Sequence, residues 1–204
     1  MNRASVIFLR GGPAVGKSTL ARALADCIRR SAVVEQDVLR YMVRGGLVAC
    51  RSGRHPSEDP EGYERQCRIG DENALAVARS FAEEGFVPII AGFDGGESAQ
   101  SFRLAPRVTP WSPSPEKLSK LLPGLATHQI ILDASPAVLR DRLAARGLDA
   151  AAIRFVLSQR ERFLQRLEKA PPDVGVLRID TGASDARTAV TFLLERIPLL
   201  ESVS

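Results

Sequence analysis

Five short apolar runs recur along the chain, and segments with helical patterning separate them. The runs lie at about 5–9, 32–35, 86–92, 129–133 and 175–179. They lack polar alternation, so we predict five buried parallel strands. Apolar residues at helical spacing predict helices over about 17–29, 37–44, 61–85, 115–122, 136–146, 150–169 and 184–197. This alternation predicts an α/β fold with helices on both faces of one sheet and a ligand site at the carboxyl ends of the strands.

A glycine-rich loop joins the first predicted strand to the first predicted helix. It has the sequence Gly-Gly-Pro-Ala-Val-Gly-Lys-Ser-Thr and matches the pattern Gly-x-x-x-x-Gly-Lys-Ser/Thr. In such a loop, backbone N–H groups and the positive end of the helix converge on phosphates. We predict that a nucleoside triphosphate is bound by Gly11, Gly12, Pro13, Ala14, Val15, Gly16, Lys17, Ser18 and Thr19. Lys17 is also a candidate catalytic residue at the β and γ phosphates, and Ser18 a candidate Mg²⁺ ligand.

Two charged residues follow the second predicted strand. Asp37 stands near the start of a helix, and Arg40 lies about one turn later on the same face. In a phosphotransfer site, such a carboxylate orients or deprotonates an acceptor hydroxyl, while the guanidinium binds an anionic group or the moving phosphoryl group. Both are therefore candidate catalytic residues. The alternative is that Asp37 only caps the helix and Arg40 is solvated.

Asp94 follows the third predicted strand, with glycines on either side of it. Glycines allow close backbone approach, so Asp94 is a candidate Mg²⁺ ligand acting through water, or an alternative base. It is displaced from the usual position of the second metal-binding carboxylate in phosphate-loop proteins. An aspartate in a simple turn is the alternative interpretation.

The segment from 135 to 147 begins with Ser-Pro and ends with Gly, which is typical of a short helix. Arg142 and Arg146 stand four residues apart on one face of it. Like charges at this spacing repel each other unless an anion lies between them, and nucleotide phosphates would supply one. We therefore predict a lid over 136–150, with Arg142 as a catalytic residue and both arginines binding the nucleotide. The alternative is a pair of solvated arginines.

Gly70 lies inside the long predicted helix over 61–85, where glycine costs about 1 kcal/mol relative to alanine. Gln66 and Asn73 share its face. We expect something to approach Gly70 closely. It is either a substrate that these two side chains hydrogen-bond or a neighbouring helix.

The composition is that of an ordinary globular protein. The chain has 204 residues, of which 45% are hydrophobic and 25% charged, and no linker divides it, so we predict a single domain over 1–204. A Pro-rich insertion is expected over 97–115. The net charge of +4 comes from scattered basic residues, so a nucleic-acid partner is not favoured, although it stays open.

No apolar run approaches the roughly 20 residues of a membrane span, and the N-terminal apolar stretch is too short for a signal peptide. We therefore expect a cytoplasmic protein without a membrane partner. The three cysteines lack the spacing of a zinc site.

The phosphate loop, the Asp37–Arg40 pair and the pattern Leu139-x-x-Arg142-x-x-x-Arg146-Gly147 together resemble the small P-loop kinases and phosphotransferases. The chain is most similar to the chloramphenicol phosphotransferase and zeta-toxin-like group, and more distantly to shikimate and gluconate kinases. The resemblance spans most of 1–197. It implies a three-layer fold with sheet order 2-3-1-4-5, ATP as the donor, a mobile arginine-bearing lid and Asp37 as the general base. It also implies that Thr181 lies near the adenine as a nucleotide-binding residue.

These features predict an ATP- and Mg²⁺-dependent phosphotransferase that acts on a hydroxyl of a small molecule, such as a metabolite or an antibiotic-like compound. Two alternatives stay open: a polynucleotide or nucleotide-sugar kinase of the same superfamily, and a non-catalytic ATP-binding module. A GTPase switch is disfavoured because the chain has no Asn-Lys-x-Asp guanine motif. The resemblance does not identify the acceptor, because 91–92 and 97–115 depart from the family where such enzymes bind it.

Overall fold

The computed structural model describes residues 5–49, 56, 58–92, 122–169 and 176–197, with the backbone alone described for 166–169. Asp94 and the Pro-rich insertion over 97–115 lie outside these ranges. So does the helix expected over 115–122, apart from its last residue.

Five parallel strands form one sheet in the order β2-β3-β1-β4-β5. This order confirms the one that the family resemblance implies. The central strand pairs on both sides, with Leu9 opposite Ala91 on one neighbour and Ile130 on the other. The strands are β1 Ser5–Arg10, β2 Ser31–Glu35, β3 Val87–Ala91, β4 Ala126–Asp133 and β5 Val176–Asp180.

Helices cover both faces of the sheet, as the sequence predicts. Within the described ranges they are α1 Lys17–Ala25, α2 Gln36–Arg40, α3 Pro60–Glu83, α4 Pro136–Ala145, α5 Ala150–Lys169 and α6 Ala186–Arg196. Among these helices, none is both long enough and apolar enough to cross a membrane.

The side chains of β1 alternate between two cores, which explains why the whole strand is apolar. Ile7 and Leu9 face one side of the sheet, where α1, α4, α5 and α6 contribute apolar residues. Val6 and Phe8 face the other side, where they pack with residues of α3. All six residues of β1 are buried. The loop that follows β1 therefore leaves from the most enclosed part of the sheet.

Two helices end earlier than their patterns predict. The helix expected over 17–29 ends at Ala25, because Cys27 and Ile28 donate N–H bonds to carbonyls three residues back and tighten the chain into turns. The helix expected over 37–44 likewise ends at Arg40, and Met42 and Val43 make the same type of bond. The tight turns bring the chain to Gly46, which has a φ of 75°. Periodicity continues through such turns, so the sequence overestimates the helix length.

Candidate active site

The loop between β1 and α1 has the backbone of a phosphate-binding loop. Gly11, Ala14 and Gly16 have φ values of 136°, 63° and 93°, in the region that glycine tolerates best. A Cβ atom on Gly11 would lie 2.2 Å from the Leu132 carbonyl oxygen, so only glycine fits there. The loop then enters α1 at Lys17, and the first turn of that helix contains no acidic residue. The positive end of α1 therefore faces the loop, where it attracts an anion.

Lys17 lies against the loop that precedes it. Its Nζ atom donates hydrogen bonds to the carbonyl oxygens of Gly11 and Gly12, each at 2.8 Å. These bonds hold the ammonium group across the mouth of the loop. A phosphate group bound by the loop N–H groups would meet a positive charge already in position.

Ser18 and Glu35 form a pair of oxygen ligands beside the loop. The Ser18 hydroxyl donates to Glu35 Oε2 at 2.7 Å, while Arg22 pairs with Glu35 Oε1 at 2.7 Å. Mg²⁺ prefers hard oxygen ligands and takes one or two from the protein, with phosphates supplying others. This pair therefore fits a Mg²⁺ ion. Among the described residues, no group of three His, Cys, Asp or Glu side chains could hold a metal.

Sequence analysis missed Glu35. The signal was an acidic residue at the last position of the second strand, directly before Gln36 and Asp37. Its significance depends on α1 placing Ser18 next to the end of β2, and the spacing along the chain does not reveal that.

A cavity of about 470 Å³ lies between the phosphate loop, α4 and the chain that follows β5. The Thr181 hydroxyl lies at one wall, where it donates to the Val15 carbonyl at 2.8 Å. The lining comprises Ala14, Gly16, Thr19, Leu20, Arg142, Arg146, Thr181, Gly182, Ala183, Ser184, Asp185, Ala186 and Ala189. Thr181, Arg142 and Arg146 thus line one cavity together with Ala14 and Gly16 of the loop; that they bind a nucleotide there stays a prediction.

Arg142 connects three segments around this cavity. It donates to the Thr181 carbonyl at 2.6 Å, to the Thr181 hydroxyl at 3.0 Å and to the Ala14 carbonyl at 3.3 Å. Arg142 is therefore not a merely solvated residue. Its helix is anchored by Leu139 and Leu143, which are 0% and 1% exposed. Moving all of α4 away from the sheet would expose both leucines to water.

A second, smaller cavity of about 160 Å³ lies on the other side of Arg146. Arg146 stands at the C-terminal end of α4 and lines both cavities. The smaller cavity has apolar walls that include Leu148 and Val156, and polar side chains from Asp37, Arg40 and Gln159. Among the described residues that line it, Asp37 is the single carboxylate.

Asp37 and Arg40 differ sharply in burial. The Asp37 side chain is 52% exposed, whereas that of Arg40 is 7% exposed, and the shortest contact between their charged groups is 3.3 Å. The interpretation of Arg40 as a solvated residue is therefore wrong. α2 presses Arg40 onto α3, where a Cβ atom on Gly70 would lie 3.3 Å from the Arg40 Cβ atom.

This contact identifies the element that packs against Gly70. The element that approaches Gly70 is α2, so the packing interpretation is confirmed. Gln66 lies one turn before Gly70 on α3, where it accepts a bond from the Val48 N–H at 2.9 Å and donates to the Gly46 carbonyl at 2.7 Å. These two bonds hold the chain that follows α2 in place. Arg40 lines the smaller cavity, whereas Gln66 is not among its lining residues.

No protein-family model matches this chain, and no curated protein matches it. Solved structures do. Shikimate kinase from Acinetobacter baumannii, in complex with shikimate, is 16% identical at a TM-score of 0.59, with coverage of 96% of this chain and 93% of that one. The tunicamycin resistance protein of Deinococcus radiodurans is 19% identical at a TM-score of 0.57, covering 96% of each chain. The YorR protein of Bacillus subtilis, in complex with phosphorylated GDP, is 16% identical at a TM-score of 0.57, covering 97% of this chain and 98% of that one.

The chain has the P-loop kinase fold. At these identities the likeness concerns the fold and not the acceptor.

Sequence analysis also missed an ion pair beside the phosphate loop. Arg160 on α5 donates from Nε and Nη2 to the two carboxylate oxygens of Asp133, at 2.8 and 2.7 Å. A Cβ atom on Gly12 would lie 3.8 Å from the Arg160 Cβ atom. The pair therefore fastens α5 to the end of β4 directly beside the phosphate loop.

The bonds of Thr181 predict a measurable loss of stability. Thr181→Val should lower the free energy of unfolding by about 1 to 3 kcal/mol, because it leaves the Val15 carbonyl and an Arg142 N–H group without partners. Urea denaturation measures the change. Thr191→Val is the matched control; its hydroxyl is exposed and bonds to the Arg187 carbonyl within α6, so the loss should stay below about 0.5 kcal/mol. Equal losses in the two variants would contradict the structural role of Thr181.

Proposed function

We propose that this chain transfers the γ-phosphoryl group of ATP to a hydroxyl of a small molecule, with Mg²⁺ bound at the phosphate loop. The observation that supports this best is that two cavities meet at Arg146 beside the loop. Phosphoryl transfer requires donor and acceptor to lie close together and in line. Two adjoining cavities of unequal size provide such an arrangement.

The larger cavity is the proposed nucleotide site. Its volume of about 470 Å³ falls in the usual range for ligand sites, about 300 to 1,000 Å³. Thr181 and Arg142 form part of its wall, and the residues 11–19, except for Pro13, which has no N–H group, hold the phosphates through their N–H groups. Lys17 neutralises charge on the γ-phosphoryl group as it moves. Ser18 and Glu35 are the proposed protein ligands of Mg²⁺, directly or through water. When bound, Mg²⁺ supplies charge neutralisation at the phosphate oxygens.

The smaller cavity is the proposed acceptor site. Asp37 is the proposed general base, since its carboxylate lies in the wall and accepts the proton of the attacking hydroxyl. Apolar walls reduce access of water, which would otherwise compete as an acceptor. Arg146 lies between the two cavities, where it stabilises negative charge on the transferred group.

The proposed lid is smaller than the segment 136–150. Leu139 and Leu143 hold α4 on the core, so closure would be confined to the chain that begins at Arg146 and pivots at Gly147, whose φ is 78°. Arg142 contacts the nucleotide from the fixed part of the wall.

The volume of the proposed acceptor cavity helps to distinguish between the classes of acceptor molecule that the sequence leaves open. As lined by the described residues, about 160 Å³ is well below the roughly 300 Å³ at which typical ligand sites begin. This disfavours a polynucleotide or a nucleotide sugar as the acceptor and favours a compact molecule. The proposed catalytic set of Lys17, Asp37 and Arg146 likewise favours an enzyme over a passive ATP-binding module.

Asp37→Asn should reduce phosphoryl transfer by about 10²-fold or more, because a positioned base is lost. Nucleotide affinity should stay unchanged, because Asp37 lines only the smaller cavity. Transfer from γ-labelled ATP to a mixture of small hydroxyl compounds measures the rate, and a fluorescent ATP analogue measures affinity.

Asp26→Asn, an exposed change at the end of α1, is the control and should alter neither quantity. A loss of affinity without a loss of rate would assign Asp37 a structural role. Tight ATP binding by the wild-type chain with no transfer to any compound would favour the non-catalytic module.

Glu35→Gln tests the proposed metal site. The amide supplies no negative charge, so the Mg²⁺ concentration that half-maximally tightens ATP-analogue binding should rise about 10- to 100-fold. A Mg²⁺ titration at fixed analogue concentration measures it. Glu83→Gln, at the exposed end of α3, should leave the requirement unchanged. If Glu35→Gln behaved like this control, Glu35 would serve only to hold Ser18 and Arg22 in place.

A further inference from the structure

Gln159 is a buried polar residue in an otherwise apolar stripe of α5. The other members of this stripe are Ala152, Val156 and Phe163, which follow helical spacing and are all buried. Gln159 itself is only 8% exposed. Glutamine usually lies at the surface, and burying its amide is unfavourable unless the amide is hydrogen-bonded. A glutamine in this stripe therefore calls for a polar partner.

The Gln159 amide has polar atoms that are free to bind a ligand. Within the part of the chain that the structure describes, no side chain or backbone group bonds to this amide. Its two polar atoms are also not closed off from the accessible surface, in contrast to both amide atoms of Gln129 on β4. Gln159 lines the smaller cavity. The cavity therefore gives the amide access to a partner that is not part of the protein.

The turn of α5 that contains Gln159 is held in place by the next residue. Arg160 donates two hydrogen bonds to the Asp133 carboxylate, at 2.8 and 2.7 Å. A Cβ atom on Gly12 would lie 3.8 Å from the Arg160 Cβ atom, so this turn also lies against the phosphate loop. Pro13, the next residue of the loop, lines the smaller cavity together with Gln159. Gln159 is therefore fixed in the wall of the proposed acceptor site, close to the loop.

We propose that Gln159 determines the specificity of the acceptor site by binding a second hydroxyl of the acceptor, one that does not react. This inference rests on the proposed function and assigns a further residue to the same site. A primary amide has two N–H donors and one carbonyl acceptor, and a hydroxyl both donates and accepts, so the two groups pair in either direction. One hydroxyl of the acceptor meets Asp37 and reacts, while Gln159 holds the other.

This arrangement selects against acceptors that have a single polar group. A molecule that enters the cavity displaces water from the amide, and affinity is lost when that molecule does not replace the hydrogen bonds of the water. An amide left unpaired in an apolar cavity weakens binding about 10- to 100-fold. The same hydrogen bond is present before and during transfer, so its loss raises KM and leaves kcat nearly unchanged.

The rest of the wall indicates which probe molecules fit. Tyr63 and Phe155 meet edge to face, with ring centroids 6.4 Å apart and planes at 82°. Both line the smaller cavity, together with Leu148 and Val156. The cavity volume of about 160 Å³ is close to the roughly 150 Å³ of an apolar cavity that holds benzene. A six-membered carbon ring is therefore a suitable frame on which to vary the hydroxyls.

The first experiment compares ligands that differ by one hydroxyl on the wild-type chain. The probes are cyclohexanol and the isomeric cyclohexanediols, whose two hydroxyls lie on adjacent, alternate or opposite carbons. Binding is measured by ligand-observed NMR in the presence of a nonhydrolysable ATP analogue and Mg²⁺, and transfer is measured with γ-labelled ATP. At least one diol should bind about 10- to 100-fold more tightly than cyclohexanol, although cyclohexanol is the more apolar molecule.

The second experiment assigns the preference to Gln159. Gln159→Met keeps the length of the side chain and removes its hydrogen-bonding groups, so the preference for diol over cyclohexanol should disappear while cyclohexanol still binds. The urea midpoint should not fall, because the amide makes no bond within the described part of the chain. If Gln159→Met does not fold, Gln159→Leu provides a second apolar replacement.

Gln129→Met is the matched control for this variant. Gln129 is also a buried glutamine, at 1% exposed, but it lies on β4 and lines neither of the two cavities. Gln129→Met should therefore keep the full preference for the diol, together with the wild-type rate of transfer.

The outcomes separate the two proposals. Binding of a diol that depends on Gln159, without transfer to it, supports the role of Gln159 and overturns the proposed function. Transfer to cyclohexanol and diols that bind equally well overturns the role of Gln159 and leaves the proposed function intact. A diol preference that persists in Gln159→Met, or failure of every diol to bind in the presence of the nucleotide analogue, likewise overturns the role of Gln159.

Discussion

The close approach of Gly11 to the Leu132 carbonyl determines where the phosphate loop lies. A Cβ atom at that position would lie 2.2 Å from the carbonyl oxygen, and the φ of 136° favours glycine as well. The loop is therefore seated against β4 as it leaves β1. In this position, the Ala14 carbonyl accepts a hydrogen bond from Arg142, and the Val15 carbonyl accepts one from the Thr181 hydroxyl. The proposed donor site thus depends on one position at which no side chain fits.

The two halves of the site are stabilised differently. The donor side is held by hydrogen bonds between chain segments that are far apart in sequence, such as those of Thr181 and of the Asp133–Arg160 pair. The acceptor side is formed by packing, since α2 lies on α3 at Gly70 and buries Arg40 there. Burial of a cation is unfavourable for folding unless a partner compensates it.

The sequence predicted the features that depend on local pattern. The phosphate loop, the five strands and the shared face of Asp37 and Arg40 follow from spacing along the chain, and the resemblance added the sheet order. The roles of Glu35 and Arg160 were missed because each depends on a partner from a distant segment, Ser18 in one case and Asp133 in the other. The spacing of residues along the chain also does not predict that Arg40 is buried, since an arginine in a short helix is usually exposed. Asp94 stays a prediction, because it lies outside the described residues.

The most direct test is a crystal structure with a nonhydrolysable ATP analogue and Mg²⁺. We predict that the phosphates lie on residues 11–19, that the base and ribose occupy the larger cavity between Arg142 and Thr181, and that the terminal phosphate points past Arg146 toward Asp37. A nucleotide base in the smaller cavity, or a terminal phosphate directed away from Asp37, would contradict the assignment of donor and acceptor sites.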